Sequence, residues 1–353
     1  MKEVCFIMIA LRLYGPNDIR LEDVPVPEIT DGEILLKVRA AAVCGTDVRM
    51  WKNGKTGVDK EHPLVLGHEF AGEIAKVGKG VPEAYKEGTM VAIQPNIGCG
   101  ICDMCVSGRP HLCSSYRAFG INMDGAMAEY MRIPADAVRK GNLCILPGNV
   151  TPAEAAVAEP LSAVFNGFSK CFVKPGEYAL VIGAGPIGCC HAMLLHMAGA
   201  VVAMHDISPS RLEAVRSRFP YVRTYAGDDL PGFVSDWTDG RGLDVAITAC
   251  PVPAVQASVL PLMNYGGRIN FFGGIPDHLE PVAINTNHVH YKELIVTGST
   301  RQSTAQYRTI MSFISSGLLD AGSVITDRYR PEEMLQAMEN AAAAKGIKHV
   351  IEF

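Results

Sequence analysis

The sequence predicts an α/β protein of two domains, a β-rich one over residues 1–155 and a doubly wound parallel sheet after it. Three observations carry that reading. Up to residue 155 the chain is written in short alternating or apolar runs broken by Gly and Pro, the signature of strands and their turns. Beyond it, helical periodicity and apolar strands take turns, the pattern of a parallel sheet with crossover helices. The length of 353 residues also exceeds what one compact core usually serves.

Taken in order, Met8 to Gly15 opens a β-hairpin at the turn Gly15-Pro16; Met1 to Ile7 precede it, and Met8 is a natural start for translation. Strands are expected over 33–42, 71–77, 89–95 and 126–133. The second domain should begin with a helix over 152–170. Strand 178–182, helix 187–198, strand 201–205, helix 211–218 and strand 244–248 are expected next, and strands over 267–273 and 294–297 complete the sheet. The run Ala341–Ala344 reads as a helix surface near the end of the chain.

Composition removes several classes of function. A net charge of −5, with no basic run interleaved with aromatics, argues against nucleic acid as a partner. No run of about eighteen apolar residues occurs, and the first residues lack the basic and apolar regions of a secretory signal, so no membrane association is expected. Eleven cysteines in such a chain point to a reducing, cytoplasmic compartment in which thiols bind metal or pack in cores. Cys144, Cys171, Cys189, Cys190 and Cys250 read as core thiols, with Cys250 also a candidate for the cofactor site.

Cys99, Cys102, Cys105 and Cys113 lie within fifteen residues, a spacing that suits one tetrahedral zinc. Four thiolates leave no open position, so such a site folds a loop and performs no chemistry. In the second domain, the apolar strand before Gly183-Ala-Gly185-Pro186-Ile187-Gly188 runs into a G-x-G-x-x-G turn that opens a helix. That arrangement suits a dinucleotide pyrophosphate. Asp206, at the end of the next strand, can accept hydrogen bonds from an adenosine ribose, favouring NAD over NADP; the lesser alternative is a turn residue capping the following helix. Arg211 lies further on and would only flank the adenine. In the β-rich domain Cys44, His68 and Glu69 supply a thiolate, an imidazole and a carboxylate, all zinc-ligand types. A single Cys or His is more often a packed core residue; it is their combination with a dinucleotide motif that favours metal.

Cys44-Gly-Thr46-Asp47, Gly67-His68-Glu69, the four-cysteine lobe, Glu159-Pro160-Leu161, the glycine turn with Asp206, and Arg301 together resemble the zinc-dependent medium-chain dehydrogenases. Within them the chain is similar to the sorbitol and related polyol dehydrogenases over nearly its whole length. The resemblance implies a GroES-like β-barrel catalytic domain made from residues 1–155 and 298–353, carrying the zinc lobe at 95–115. A Rossmann-type domain would be inserted at 156–297. It implies two zincs per chain and NAD as cofactors. Cys44, His68 and Glu159 would hold the catalytic zinc, with Glu69 as an alternative carboxylate; Asp47 would orient His68, and Thr46 would receive the substrate's hydroxyl proton.

Arg49 stands where the family often has a relay histidine, and an arginine cannot accept a proton at neutral pH. Arg49, Phe119 and Arg301 are the implied substrate contacts; Gly183, Gly185, Pro186, Ile187, Gly188, Asp206, Arg211, Cys250, Phe272 and Gly273 are the implied cofactor contacts. The expected reaction interconverts a polyol's secondary alcohol and the corresponding ketose. Arg49, Lys52, Lys55 and Arg301 could instead hold a polyol phosphate. Threonine is a further alternative substrate, and a catalytically silent, crystallin-like relative is the alternative from another class. A homo-oligomer, dimer or tetramer, is implied as well.

Overall fold

The computed structural model describes residues 6–276 and 279–353. Residues 1–5, most of the segment that precedes the expected start at Met8, lie outside the described residues. The chain divides into two compact units: residues up to Glu159 together with Gln302–Phe353, and Pro160–Arg301. Both crossings fall later than the expected 155 and 297. At the first, the helix Pro152–Ser169 runs on without a break; at the second, the Asn166 side-chain amide donates to the carbonyls of Thr300 and Arg301 and keeps them with the second unit.

The first unit opens with the hairpin Ile7–Gly15 and Asp18–Pro25. Its turn needs a left-handed residue, which Asn17 supplies at φ 58°. A seven-stranded sheet follows the path Leu143–Ile145, Met90–Ile93, Glu69–Val77, Ile34–Ala42, Lys348–Glu352 and Ile325–Tyr329, with Tyr130–Ile133 also paired to Ile34–Ala42. The strand Ile34–Ala42 binds the unit together because it has three partners. Its first half pairs with Tyr130–Ile133, its last three residues with Lys348–Glu352, and its other edge with Glu69–Val77. Ile34, Leu36 and Val38, spaced two apart, point into a core that includes Phe70, Ile74, Val91 and Ile93. The end of the chain therefore returns to the sheet begun near its start.

Two expectations need correction here. The strand read over 126–133 is regular only at Tyr130–Ile133; Ala126 and Met127 bond instead to Gly67 and Leu66 in an irregular crossing. The alanine run does not stay helical, since the helix ends at Ala342 and Ala344 turns left-handed at φ 54°.

The second unit is a six-stranded parallel sheet in the order Arg223–Tyr225, Val201–His205, Tyr178–Ile182, Leu243–Thr248, Met263–Phe271, Ile295–Gly298. In sequence order this is 3-2-1-4-5-6, the doubly wound Rossmann topology, with its switch point between the first and fourth strands. Cys171, Cys189 and Cys190 are buried as expected of core thiols, while Cys144 is partly exposed in the middle of the short strand Leu143–Ile145. Among the described residues no helix is long and apolar enough to cross a membrane.

Candidate active site and metal centres

Among the described residues two groups of side chains lie close enough to hold a metal ion, and both are in the first unit. The first is Cys99, Cys102, Cys105 and Cys113, whose sulfurs all fall within 4.8 Å of one another. The strands Asn96–Ile97 and Arg117–Ala118 pair to close the loop that carries them. Backbone N–H groups of Ile101 and Cys102 donate to Cys99 Sγ, and that of Cys99 donates to Cys113 Sγ. These donors pull the Cys99 thiol down to about 6, whereas burial pushes Cys105 up to about 11. Cys99 and Cys105 Sγ are 3.9 Å apart, near the ~3.8 Å edge of a tetrahedron with ~2.3 Å Zn–S bonds and far from disulfide length. The lobe fits a closed zinc site.

The second group is Cys44, His68 and Glu69, with ligand atoms again within 4.8 Å of one another. Cys44 caps the helix Gly45–Asn53, and His68 directly precedes the strand Glu69–Val77. Asp47, in the helix's first turn and fully buried, ties the two together: Oδ2 accepts from the Cys44 N–H at 2.9 Å, and Oδ1 lies 3.4 Å from His68 Nδ1. His68 Nε2 is the ring nitrogen left for a metal. Burial works against the charged imidazole, but Asp47 and Cys44 facing it hold His68 well above its ordinary value. Burial pushes the Glu69 carboxyl up to about 7; Lys348 opposes that rise, and Glu159 adds to it. A thiol and three carboxyl groups thus crowd a buried space with one ammonium, a donor set that suits a divalent cation.

Glu159 is buried close to this cluster but outside the mutual reach of its three members. Its Oε1 accepts from Gln302 Nε2 at 2.8 Å, and Gln302 is locked in turn, its carbonyl accepting from Gln94 Nε2 at 3.1 Å. Thr46, one turn before Arg49 on the same helix, accepts from Arg49 Nη2 through Oγ1 at 3.2 Å. Arg301 sits in the second unit with a left-handed backbone, φ 52°, held there by Asn166. Phe119 does not wall a pocket. It is fully buried in the core of the first unit, edge-on to Phe70 at 5.6 Å, because packing among apolar neighbours such as Phe70 claims its ring. Gln302 and Lys348 were invisible to sequence reasoning; the one signal was a lysine opening the closing strand Lys348–Glu352, separated by His349 from its apolar pair Val350 and Ile351.

In the second unit Gly183, Cys250 and Gly273 meet at the carboxyl ends of adjacent strands, where open α/β sheets bind ligands. A Cβ on Gly183, which lies at φ 114°, would come within 3.2 Å of the Ala249 backbone, and one on Gly188 within 1.8 Å of the Gly183 carbonyl. Gly185 is different: a Cβ there would meet nothing within 4 Å, so the turn is open on that side. Pro186 and Ile187 begin the helix Pro186–Met197 behind it. Asp206 is buried, its carboxylate accepting from the Ala184 and Ser208 N–H groups at 2.7 and 2.8 Å, with Arg211 Nη1 at 3.7 Å. It braces the glycine turn from the end of the neighbouring strand Val201–His205. Phe272 packs edge-on against His191 at 4.8 Å, so its ring serves the wall behind the site.

Comparison with known proteins agrees with this geometry. Residues 30–142 match the alcohol dehydrogenase GroES-like domain family and residues 186–316 the zinc-binding dehydrogenase family. The chain is 31% identical to sorbitol dehydrogenase of Bacillus subtilis (strain 168), over 96% of this chain and 94% of the relative. The chain belongs to the zinc-binding medium-chain dehydrogenases. It is also 34% identical to D-xylulose reductase A of Aspergillus oryzae, over 96% and 95% of the two chains. Among solved structures it superposes with TM-score 0.86 on an alcohol dehydrogenase from Escherichia coli CFT073 complexed with NADH, at 25% identity over 98% and 99% of the chains. It does so with the same TM-score on a zinc-binding dehydrogenase of Sinorhizobium meliloti 1021 bound to NADP, at 27% identity over 99% and 100%. The chain of this family is therefore an oxidoreductase with a GroES-like and a Rossmann-type unit.

Proposed function

We propose that this dehydrogenase interconverts a secondary hydroxyl of a free polyol and the corresponding ketone, with NAD as its partner in hydride transfer. The observation that carries the reading is the Cys44, His68 and Glu69 cluster, three ligand types in reach of one ion, where a closed structural site would show four. Zinc, when bound, supplies Lewis acidity toward the hydroxyl, and NAD supplies the hydride acceptor.

The chain's residues supply the rest. Asp47 fixes the ring of His68 and the backbone of Cys44, so two ligands arrive already oriented. Glu159, braced by Gln302, offers a further carboxylate to the ion or to its water. Thr46 Oγ1 accepts the substrate's hydroxyl proton as its own hydroxyl proton is handed on. Arg49 donates to that same oxygen, so the proton leaves Thr46 through solvent and not through a side-chain relay. Gly183, Gly185 and Gly188 shape the pyrophosphate seat, with its anion facing the N-terminus of the helix Pro186–Met197. Asp206 accepts from the ribose hydroxyls and repels a 2′-phosphate, which supports NAD over NADP.

The similarity to a sorbitol dehydrogenase and a xylulose reductase supports a polyol substrate, and Arg301 supplies donors for its vicinal hydroxyls. A small polyol as the substrate, a homo-oligomeric state and a cytoplasmic site of action complete the reading.

The test is NADH formation by zinc-loaded protein on a panel of free polyols, polyol phosphates, threonine and simple alcohols, with NADP and Glu159→Ala as controls. Turnover of a free polyol with NAD is expected. Turnover of phosphates alone would reassign Arg49, Lys52 and Lys55 to anion binding, and silence throughout would revive the non-enzymatic alternative.

A further inference from the structure

The two buried carboxylates beside Cys44 and His68 are held by partners of different kinds. Glu159 accepts from the neutral amide of Gln302. Glu69 meets an ammonium: Lys348 Nζ donates to Oε1 at 2.7 Å and lies 2.5 Å from Oε2. Lys348 is 3% exposed and Glu69 0%. The same Nζ donates to the Val43 carbonyl at 2.9 Å, one residue before Cys44, so the ammonium reaches the cluster from behind.

An ion pair this dry is a strong interaction between its members, because little solvent screens it. Both oxygens of Glu69 face the ammonium, and a metal at Cys44 and His68 must share or take those lone pairs. Lysine is a compact charge on a flexible stem, able to hold the carboxylate or to yield it. Without Lys348, the Glu69 carboxylate would face the ion with the ammonium's hold on its oxygens removed.

We propose that Lys348 competes with the reactive-site metal for Glu69 and so sets how readily that metal is released. The inference rests on the dehydrogenase reading, in which this cluster holds zinc. Glu69 becomes the exchangeable ligand, and Lys348 is its counter-ion whenever it leaves the metal. The four-cysteine lobe is the internal control, since its sulfurs lie elsewhere in the unit and bond to their own backbone donors.

The experiment uses the full chain with Co²⁺ in place of zinc at the reactive site, and follows loss of the cobalt–thiolate absorption after adding excess dipicolinate. Lys348→Met is expected to release the metal ~10-fold or more slowly than wild type, the scale on which outer partners act on metal affinity. Glu69→Gln is expected to release it faster, and Glu69→Gln/Lys348→Met is expected to match Glu69→Gln within ~2-fold, since Lys348 acts only through Glu69.

Release from Lys348→Met at the wild-type rate or faster overturns the proposal. So does a difference larger than that between the double variant and Glu69→Gln, a comparison that stands alone where Lys348→Met does not fold. A merely structural lysine would change the rate whatever residue stands at 69. Uptake of a single ion per chain, in the lobe, overturns the dehydrogenase reading and this inference together; uptake of two, with release indifferent to residue 348, overturns this inference only.

Discussion

The two metal centres of the first unit are built on opposite plans. Cys99, Cys102, Cys105 and Cys113 come from one loop, offer four identical donors and bond to their own backbone. Cys44, His68, Glu69 and Glu159 come from a helix cap, a strand entry and a long helix, offer three kinds of donor, and lean on Asp47 of the capped helix and on Lys348 and Gln302 from further along the chain. The local site can close around its ion and hold a loop. The dispersed site brings mixed donors into a buried, charged environment, and its shape depends on the whole unit being folded. On the proposed reading, permanence belongs to the first plan and reactivity to the second.

That contrast breaks most visibly at the ligands. Cys44→Ser should lower kcat/KM by on the order of 10³-fold, the scale of a lost Lewis acid, while thermal unfolding and zinc in the lobe change little; kinetics with metal analysis checks both halves. Cys105→Ser should do the reverse. It should lower the apparent Tm by roughly 5–10 °C as the lobe loses its ion, and the fraction still folded in the cold should retain most of its turnover. If Cys105→Ser abolished chemistry in the folded fraction, the division of labour would fail.

Smaller changes sharpen the same comparison. Asp47→Asn keeps the size of the side chain but loses the charge facing His68, and should weaken reactive-site metal affinity by ~10–100-fold, as read by zinc titration. It should leave the lobe's affinity alone. The smallest effect is one of pH on the metal-free chain. The Glu69 carboxyl, raised to about 7 by burial, keeps a proton in the folded chain that the unfolded chain sheds near its ordinary value. The folded state thus binds more protons between those values, so this group's contribution to stability is present in acid and is lost as pH rises toward 7. A Tm falling by a few degrees between pH 5 and 7, and flattened in Glu69→Gln, is the expected result.

The sequence showed the local features and hid the ones that depend on folding. The lobe was legible because its four thiols are neighbours in the chain, and the glycine turn because Gly183, Gly185 and Gly188 each answer a steric demand at fixed spacing. The strands Tyr178–Ile182 and Val201–His205 were legible to the residue, being short apolar runs closed by turns. Lys348 and Gln302 were not. Each is an ordinary polar residue until the sheet brings Lys348 to Glu69, 279 positions away, and the return of the chain brings Gln302 to Glu159, 143 away. Phe119 failed for a related reason. An aromatic beside a zinc lobe can face a pocket or a core, and only the packing against Phe70 decides.

The most direct test of the central claim is timed removal of metal from the zinc-loaded chain by a chelator, with zinc content and polyol-dependent NADH formation read on the same samples. The account predicts two zincs per chain, one leaving quickly and taking all the activity with it, the other staying with the folded lobe. Activity that survives loss of the first zinc, or a chain that never holds more than one, would contradict it.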